Sequence, residues 1–273
     1  MSWTTIARRE YATTRDSRAI RWLLWLLAIT CVLSGYFYPI TTDGAVTTRT
    51  FISDGVLLGS INHLLPLIGV FLGHGAIVTE RASGKLTLLL SLPYSRGDLV
   101  VGKLVGRSLA FATSLITILA VAGALVVYPF GSLALGWYLA FIVVTVLYGW
   151  IFTATATAIS MLTRSKHLAT VSAFGLYGLF VLFWSPVQAG LRYGLETIGL
   201  TDAGLPDGVL FLFGLNPATL YDRILTGFFI ERAGPYAGSD AWYLSEWVAL
   251  ALFLVWAVVP VTLGYLRFSN TDL

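Results

Sequence analysis

Six apolar stretches decide what this chain can become. They lie near residues 20–38, 56–78, 107–129, 134–160, 168–188 and 247–267. Each can cross a hydrocarbon layer of about 30 Å, which takes about 20 helical residues. Inside lipid, backbone amides must be bonded within their own helix or in a closed barrel, and uninterrupted apolar runs lack the alternation of barrel strands. The expected fold is therefore all-α, a polytopic membrane protein with six transmembrane helices. Composition agrees: 57% of residues are apolar and only 11% charged, where a soluble domain carries about 25% charged residues. The short turn "PFGSL" at 129–133 predicts an antiparallel pair for the third and fourth helices.

Orientation follows from Lys and Arg. With the N-terminus in the cytoplasm, 13 of the 17 basic residues fall on cytoplasmic segments, and only Arg49, Arg192, Arg223 and Arg232 lie outside. Both termini are then cytoplasmic in a multi-pass protein of the plasma membrane. The chain reads as one transmembrane domain, 1–273, with a cytoplasmic or interfacial helix at 1–19, a cytoplasmic loop at 79–106 and an external loop at 189–246. The first apolar run follows an Arg-rich segment and lacks a small-x-small cleavage site, so a retained anchor is expected. Before it, Trp3, Ile6, Ala7 and Tyr11 share a helical face while Arg8, Arg9, Arg15 and Arg18 lie largely elsewhere, the pattern of a helix lying among headgroups. The external loop contains an apolar piece, "GVLFLFGLNP", expected to re-enter the membrane or lie on it, with Tyr221, Phe228, Phe229, Trp242, Tyr243 and Trp247 at headgroup level. Cys31 is the single cysteine, and Met1 and Met161 are the only methionines, a poor set for a soft-metal path.

The loop reads "TERASGKLTLLLSLPYSRGDLVVGKLVGR" over 79–107. Glu80, Arg81 and Lys85 emerge from the second span, and Gly84 lets the chain leave the helix at positive φ. Leu86, Leu89 and Leu90 then share one face of a helix too short to span, which Pro93 ends. Ser95 and Asp98 form a capping box for a new helix through Lys103 and Arg107. Gly97, Gly102 and Lys103 match the first seven positions of a phosphate-binding loop. Leu104 stands where its Ser or Thr belongs and no strand precedes it, so nucleotide binding by this chain is not expected.

This segment resembles the loop of ABC-2 type transporter permeases, which read Glu-Arg-x-x-Gly-x-Leu, a leucine run ending Ser-x-Pro, then Ser-Arg-x-Asp and Gly-Lys. Glu80, Arg81, Gly84, Leu86, Ser91, Pro93, Ser95, Arg96, Asp98, Gly102 and Lys103 match, and "LTRS" (162–165) and "NPATLYDRI" (216–224) are similar too. Within that family the likeness points to the permeases of nitrous-oxide-reductase maturation transporters. The resemblance implies a permease that homodimerises and binds a separate ATP-hydrolysing subunit, which would hold the ATP and Mg; no cofactor is expected on this chain. It also implies that the loop is a coupling helix seated in a cleft of the ATPase. Leu86, Leu89 and Leu90 would fill that cleft or pack on the membrane-proximal helices. Glu80, Arg81, Lys85 and Arg96 would pair with the partner's charges, and Arg164 and Lys166 of "TRSKH" would make a second contact. By analogy the direction is export.

Candidate pathway groups are the polar residues inside spans: Asn62, His63 and His74 on the second, and the hydroxyl stripe Thr153, Thr157 and Ser160 on the fourth. The same residues serve equally as helix-packing groups. Two other classes stay open, an intramembrane enzyme (a protease or a lipid-modifying protein) and a passive membrane scaffold. The first would need paired carboxylates or a His cluster within the spans, and the sequence contains no H-E-x-x-H.

Overall fold

The computed structural model describes residues 3–41, 46–91, 94–128, 132–197, 199, 205–230, 236 and 241–270. Every regular element among them is helical. The order begins α1 (Trp3–Asp16), α2 (Arg18–Thr41), α3 (Thr48–Ile52), α4 (Gly55–Gly73), α5 (Val78–Ala82), α6 (Lys85–Leu90), α7 (Arg96–Val127) and α8 (Leu135–Leu162). It continues with α9 (Lys166–Tyr177), a π-turn (Gly178–Leu182), α10 (Trp184–Thr197), α11 (Asp207–Phe213) and α12 (Pro217–Ile224). A second π-turn (Leu225–Phe229), a 3₁₀ turn (Trp242–Leu244) and α13 (Glu246–Ser269) close the chain.

Five helical segments are long and apolar enough to cross a membrane: α2, Gly55–Ala82 (α4 and α5 joined by a turn), α7, α8 and α13. The fifth span, expected near 168–188, is built from two helical pieces. It is Lys166–Leu182 followed by Trp184–Thr197, bent by 55°. Pro186 is the cause, since it has no N–H to give the carbonyl one turn back, and the ladder widens just before it, with the Phe183 amide donating to the Gly178 carbonyl at 2.8 Å.

The core is the seam where α4 and α8 press together. Small residues make that approach close: a methyl built on Gly73 would come within 2.5 Å of the Thr153 carbonyl oxygen and 2.6 Å of Ala156 Cβ. At the end of the bundle opposite the chain termini, the Ser34 hydroxyl donates to Asp54 Oδ2, which also accepts the Leu57 amide at 2.9 Å. That carboxylate caps α4 and ties it to α2.

The N-terminal helix departs from its expected setting. Its apolar face is covered largely by α7, not by lipid: Ile6 lies over Gly102, Ala7 over Gly106, and Tyr11 meets Thr113 at 3.4 Å. Gly102 of the failed phosphate loop is thus part of a Gly-x-x-x-Gly seam with Gly106 that lets two backbones approach.

Part of the segment read as an external loop packs against the bundle. Tyr221 is fully buried and Phe229 nearly so, which corrects their placement at headgroup level, whereas Trp242 and Trp247 are exposed as expected. Tyr221 stacks on Tyr148 of α8 with ring centroids 4.3 Å apart and 8° between planes.

Candidate functional site

The charged loop is built by local signals that fold as read. Gly84 adopts φ +71° between α5 and α6. Ser95 Oγ accepts the Asp98 amide at 2.9 Å while Asp98 Oδ2 accepts the Ser95 amide at 3.1 Å, starting α7. Ser160 holds the loop's entry, its hydroxyl oxygen accepting the Ile77 and Val78 amides at 3.0 Å each.

At its centre lies Lys103, 2% exposed. Its Nζ donates to Glu80 Oε1 at 2.7 Å and to Glu10 Oε1 at 2.9 Å. Arg107 Nε donates to Glu10 Oε2 at 2.8 Å, and its Nη1 donates to the Leu72 carbonyl. Two cations and two carboxylates from α1, α5 and α7 therefore close a balanced network against the end of α4. Desolvation makes such a network weak evidence for net stability, yet removing one member strands its partner.

Burial pushes the Glu10 carboxyl up, but Arg107 and Lys103 outweigh it and hold it below its ordinary value of 4.5. A lowered carboxyl adds stability that is complete above the unfolded value and lost as pH falls through the folded one. The thermal midpoint of the detergent-solubilised protein is therefore expected to drop on acidification below about pH 5. Glu10→Gln should flatten that dependence, and an unaltered pH profile in the variant would place the acid sensitivity elsewhere.

Two arginines of the loop clamp the ends of other helices. Arg81 Nη1 donates to the Thr163 carbonyl at the end of α8 at 2.8 Å. Arg96 Nη1 donates to the Phe268 and Ser269 carbonyls of α13 at 2.8 and 2.9 Å. Cations at helix C-termini also favour the macrodipole. Both guanidiniums stand over the buried Phe268 ring, 5.5 and 5.6 Å from its centroid.

These contacts revise the sequence-based expectation. Glu80, Arg81 and Arg96 are engaged inside the chain, so the loop's outward charge among them and Lys85 is Lys85, which is exposed. Leu86 is buried and Leu89 packs on the same small cluster with Leu99, Met161 and Phe268, the packing alternative of the two weighed above. Leu88, 70% exposed, is the apolar side chain that projects. Its position between Leu86 and Leu89 on a six-residue helix signals this once the inward face is known. The Leu90 side chain and Pro93 lie outside the described residues. Arg164 and Lys166 are exposed on either side of Ser165, the N-cap of α9.

A profile described as ABC-2 family transporter protein matches residues 4–273. The chain belongs to the ABC-2 family of transporter proteins. A protein of Pseudomonas aeruginosa described as a probable ABC transporter permease protein NosY is 32% identical over 283 residues, covering 97% of each chain. One of the same description from Stutzerimonas stutzeri is 29% identical over 278 residues, covering 93% of this chain and 96% of that one.

In this ABC-2 transporter protein the candidate pathway groups separate. Thr153, Thr157 and Ser160 are buried in the α4–α8 seam. The two threonine hydroxyls donate to carbonyls of their own helix, Thr153 to Gly149 at 2.9 Å and Thr157 to Thr153 at 2.7 Å. Among the described residues the stripe is a packing surface. His74 sits at the end of α4 with its ring edge-on to Phe71 and Phe174. His63 is exposed, with Nδ1 2.8 Å from the Gly59 carbonyl oxygen. Asn62 keeps a buried Oδ1 without a hydrogen-bond partner among the described residues, and its backbone carbonyl accepts from the Tyr148 hydroxyl at 3.3 Å.

The ABC-2 protein's second motif, "NPATLYDRI", also gains physical meaning. Asn216 caps α12 by accepting the Ala218 amide at 2.9 Å and donates to the Phe180 carbonyl of the first π-turn at 2.8 Å. Pro217 occupies the first helical position, where no N–H is needed. Tyr221 provides the stack on Tyr148, and its hydroxyl pairs with Thr145 at 2.8 Å. Arg223 is buried, donates through Nη2 to the Ser245 carbonyl at 3.2 Å and stands 4.9 Å from the Tyr236 ring centroid.

Proposed function

We propose that this chain is the permease subunit of an ATP-driven transporter. It works as a homodimer with a separate ATP-hydrolysing subunit that holds the ATP and Mg, and it moves its substrate outward across the plasma membrane. Both termini and the charged loop face the cytoplasm. Family membership and the names carried by the relatives support the permease role. The observation that carries the coupling reading is the geometry of α6, a six-residue helix projecting Lys85 and Leu88. Its flanks are fastened through Glu80, Arg81 and Arg96 to α1, α7, α8 and α13. A displacement applied at α6 is shared by the bundle instead of being absorbed by a loose loop.

The test uses the projecting residues, since Glu80 and Leu89 face inward. Leu88→Asp with Lys85→Glu should leave folding intact, because both side chains are exposed, and should abolish co-purification of the ATPase subunit. Retention of the ATPase by the folded variant would overturn the assigned contact. Orientation is read separately with Lys85→Cys, since the native Cys31 is buried. A membrane-impermeant maleimide should label inside-out vesicles and not intact cells. The reverse pattern would overturn the placement of the loop.

A further inference from the structure

At the charged end of α2 a cleft of about 670 Å³ opens on the outside of the bundle, lined by Arg18, Arg21, Trp22, Trp25 and Ile29. All five lie on one helix, and their spacing of three and four residues puts them on one face. From Arg18 to Ile29 that face runs about 16 Å along the axis at 1.5 Å per residue. It reads in order as two guanidiniums, two indoles and an alkyl group. The chain itself does not cover it: Trp22 is 75% exposed, Trp25 64% and Ile29 52%. The corner leading to it is fixed, because α1 is seated on α7 and the Arg21 amide donates to the Ser17 carbonyl at 3.0 Å.

We infer that this cleft binds an anionic phospholipid, with its phosphate between Arg18 and Arg21 and an acyl chain along Trp22, Trp25 and Ile29. The first argument is charge. Neither arginine meets a carboxylate among the described residues, and Glu10, on the preceding helix, is already held by Lys103 and Arg107. The second is the polarity gradient, which matches a phospholipid from headgroup to tail, with the indoles at the interfacial depth they favour. A second copy offering the same face would bring arginine against arginine in a self-complementary contact. A free phosphate would leave the apolar wall uncovered. The site does not rest on the permease reading; it requires only that α2 cross the membrane.

The test is tryptophan quenching in the full-length chain, reconstituted in phosphatidylcholine bilayers with a minor fraction of acyl-brominated phosphatidylglycerol or acyl-brominated phosphatidylcholine. Two arginines near an anionic headgroup give about a thirtyfold preference for the anionic lipid, so brominated phosphatidylglycerol should quench more at equal mole fraction. The Trp22→Phe, Trp25→Phe double variant should lose that excess. Arg18→Gln with Arg21→Gln, tryptophans intact, should make the two lipids equivalent. If the arginine variant does not fold, unbrominated phosphatidylglycerol competing away the quenching in the native chain serves instead. Equal quenching of the native chain by both lipids would overturn the proposal, as would reversal by inorganic phosphate. Failure of either lipid to quench Trp22 and Trp25 would mean that another chain covers this face and would overturn it too.

Discussion

Lys103→Met is expected to cost about 3–5 kcal/mol of stability, the range for breaking a buried ion pair from one side. Methionine nearly matches lysine in length, so the loss comes from charge and not from a cavity. Glu10 would keep Arg107 as its partner, whereas Glu80 would be left without a cation among the described residues, where its Oε2 is already buried and unpaired. The measurement is the thermal midpoint and the monodisperse fraction after solubilisation. Lys103→Met combined with Glu80→Gln restores the charge balance and should recover most of the loss. A single variant as stable as the native chain would mean that the Glu80–Lys103 pair does not form. The double variant separates stability from coupling, because α5, which leads into α6, would then hang on α7 by a neutral contact. In the complex, its substrate-stimulated ATP turnover should fall even though the protein is folded.

The second large effect is expected at the α4–α8 seam. Gly73→Val places carbon where the Thr153 carbonyl and Ala156 Cβ already stand, and the carbonyl is backbone that cannot swing away. Overpacking costs about 1–3 kcal/mol where side chains can yield, and more is expected here because they cannot. Folded protein should be recovered in trace amounts by size-exclusion chromatography. Gly59→Ala on the same helix is the control, since a methyl there meets nothing within 4 Å. Its midpoint should be unchanged or raised, as alanine is the better helix former. Equal tolerance of both substitutions would mean that α4 and α8 do not pack as described.

What could be read from sequence was whatever depends on near neighbours. The helical crossings followed from run length, the start of α7 from the Ser95–Asp98 box, and the exit from α5 from Gly84. Each is settled within a few residues. The partners of buried charges were not readable in this way. Lys103 meets Glu80 across 23 positions and Glu10 across 93, and nothing local distinguishes those acids from solvated ones. The same holds for Tyr221, since an amphipathic ring suits both an interfacial belt and a core with a polar neighbour. Only the arrival of Tyr148 and Thr145 selects the core. Gly102 and Gly106 carried a legible signal, the Gly-x-x-x-Gly spacing, obscured by its overlap with a nucleotide motif. The bend of the fifth crossing was also written in the chain, as Pro186, but a continuous apolar run hid it.

The two guanidiniums on Phe268 have a mechanical consequence. One arrives from the exit of the second crossing and the other from the start of the third, and both grasp the last turn of the final crossing. Two neighbouring strokes of the polypeptide and a third that begins and ends far along the chain, 172 residues from Arg96 to Phe268, are thereby yoked at one ring. The start of the third crossing and the exit of the second therefore share one anchorage on the last turn of α13.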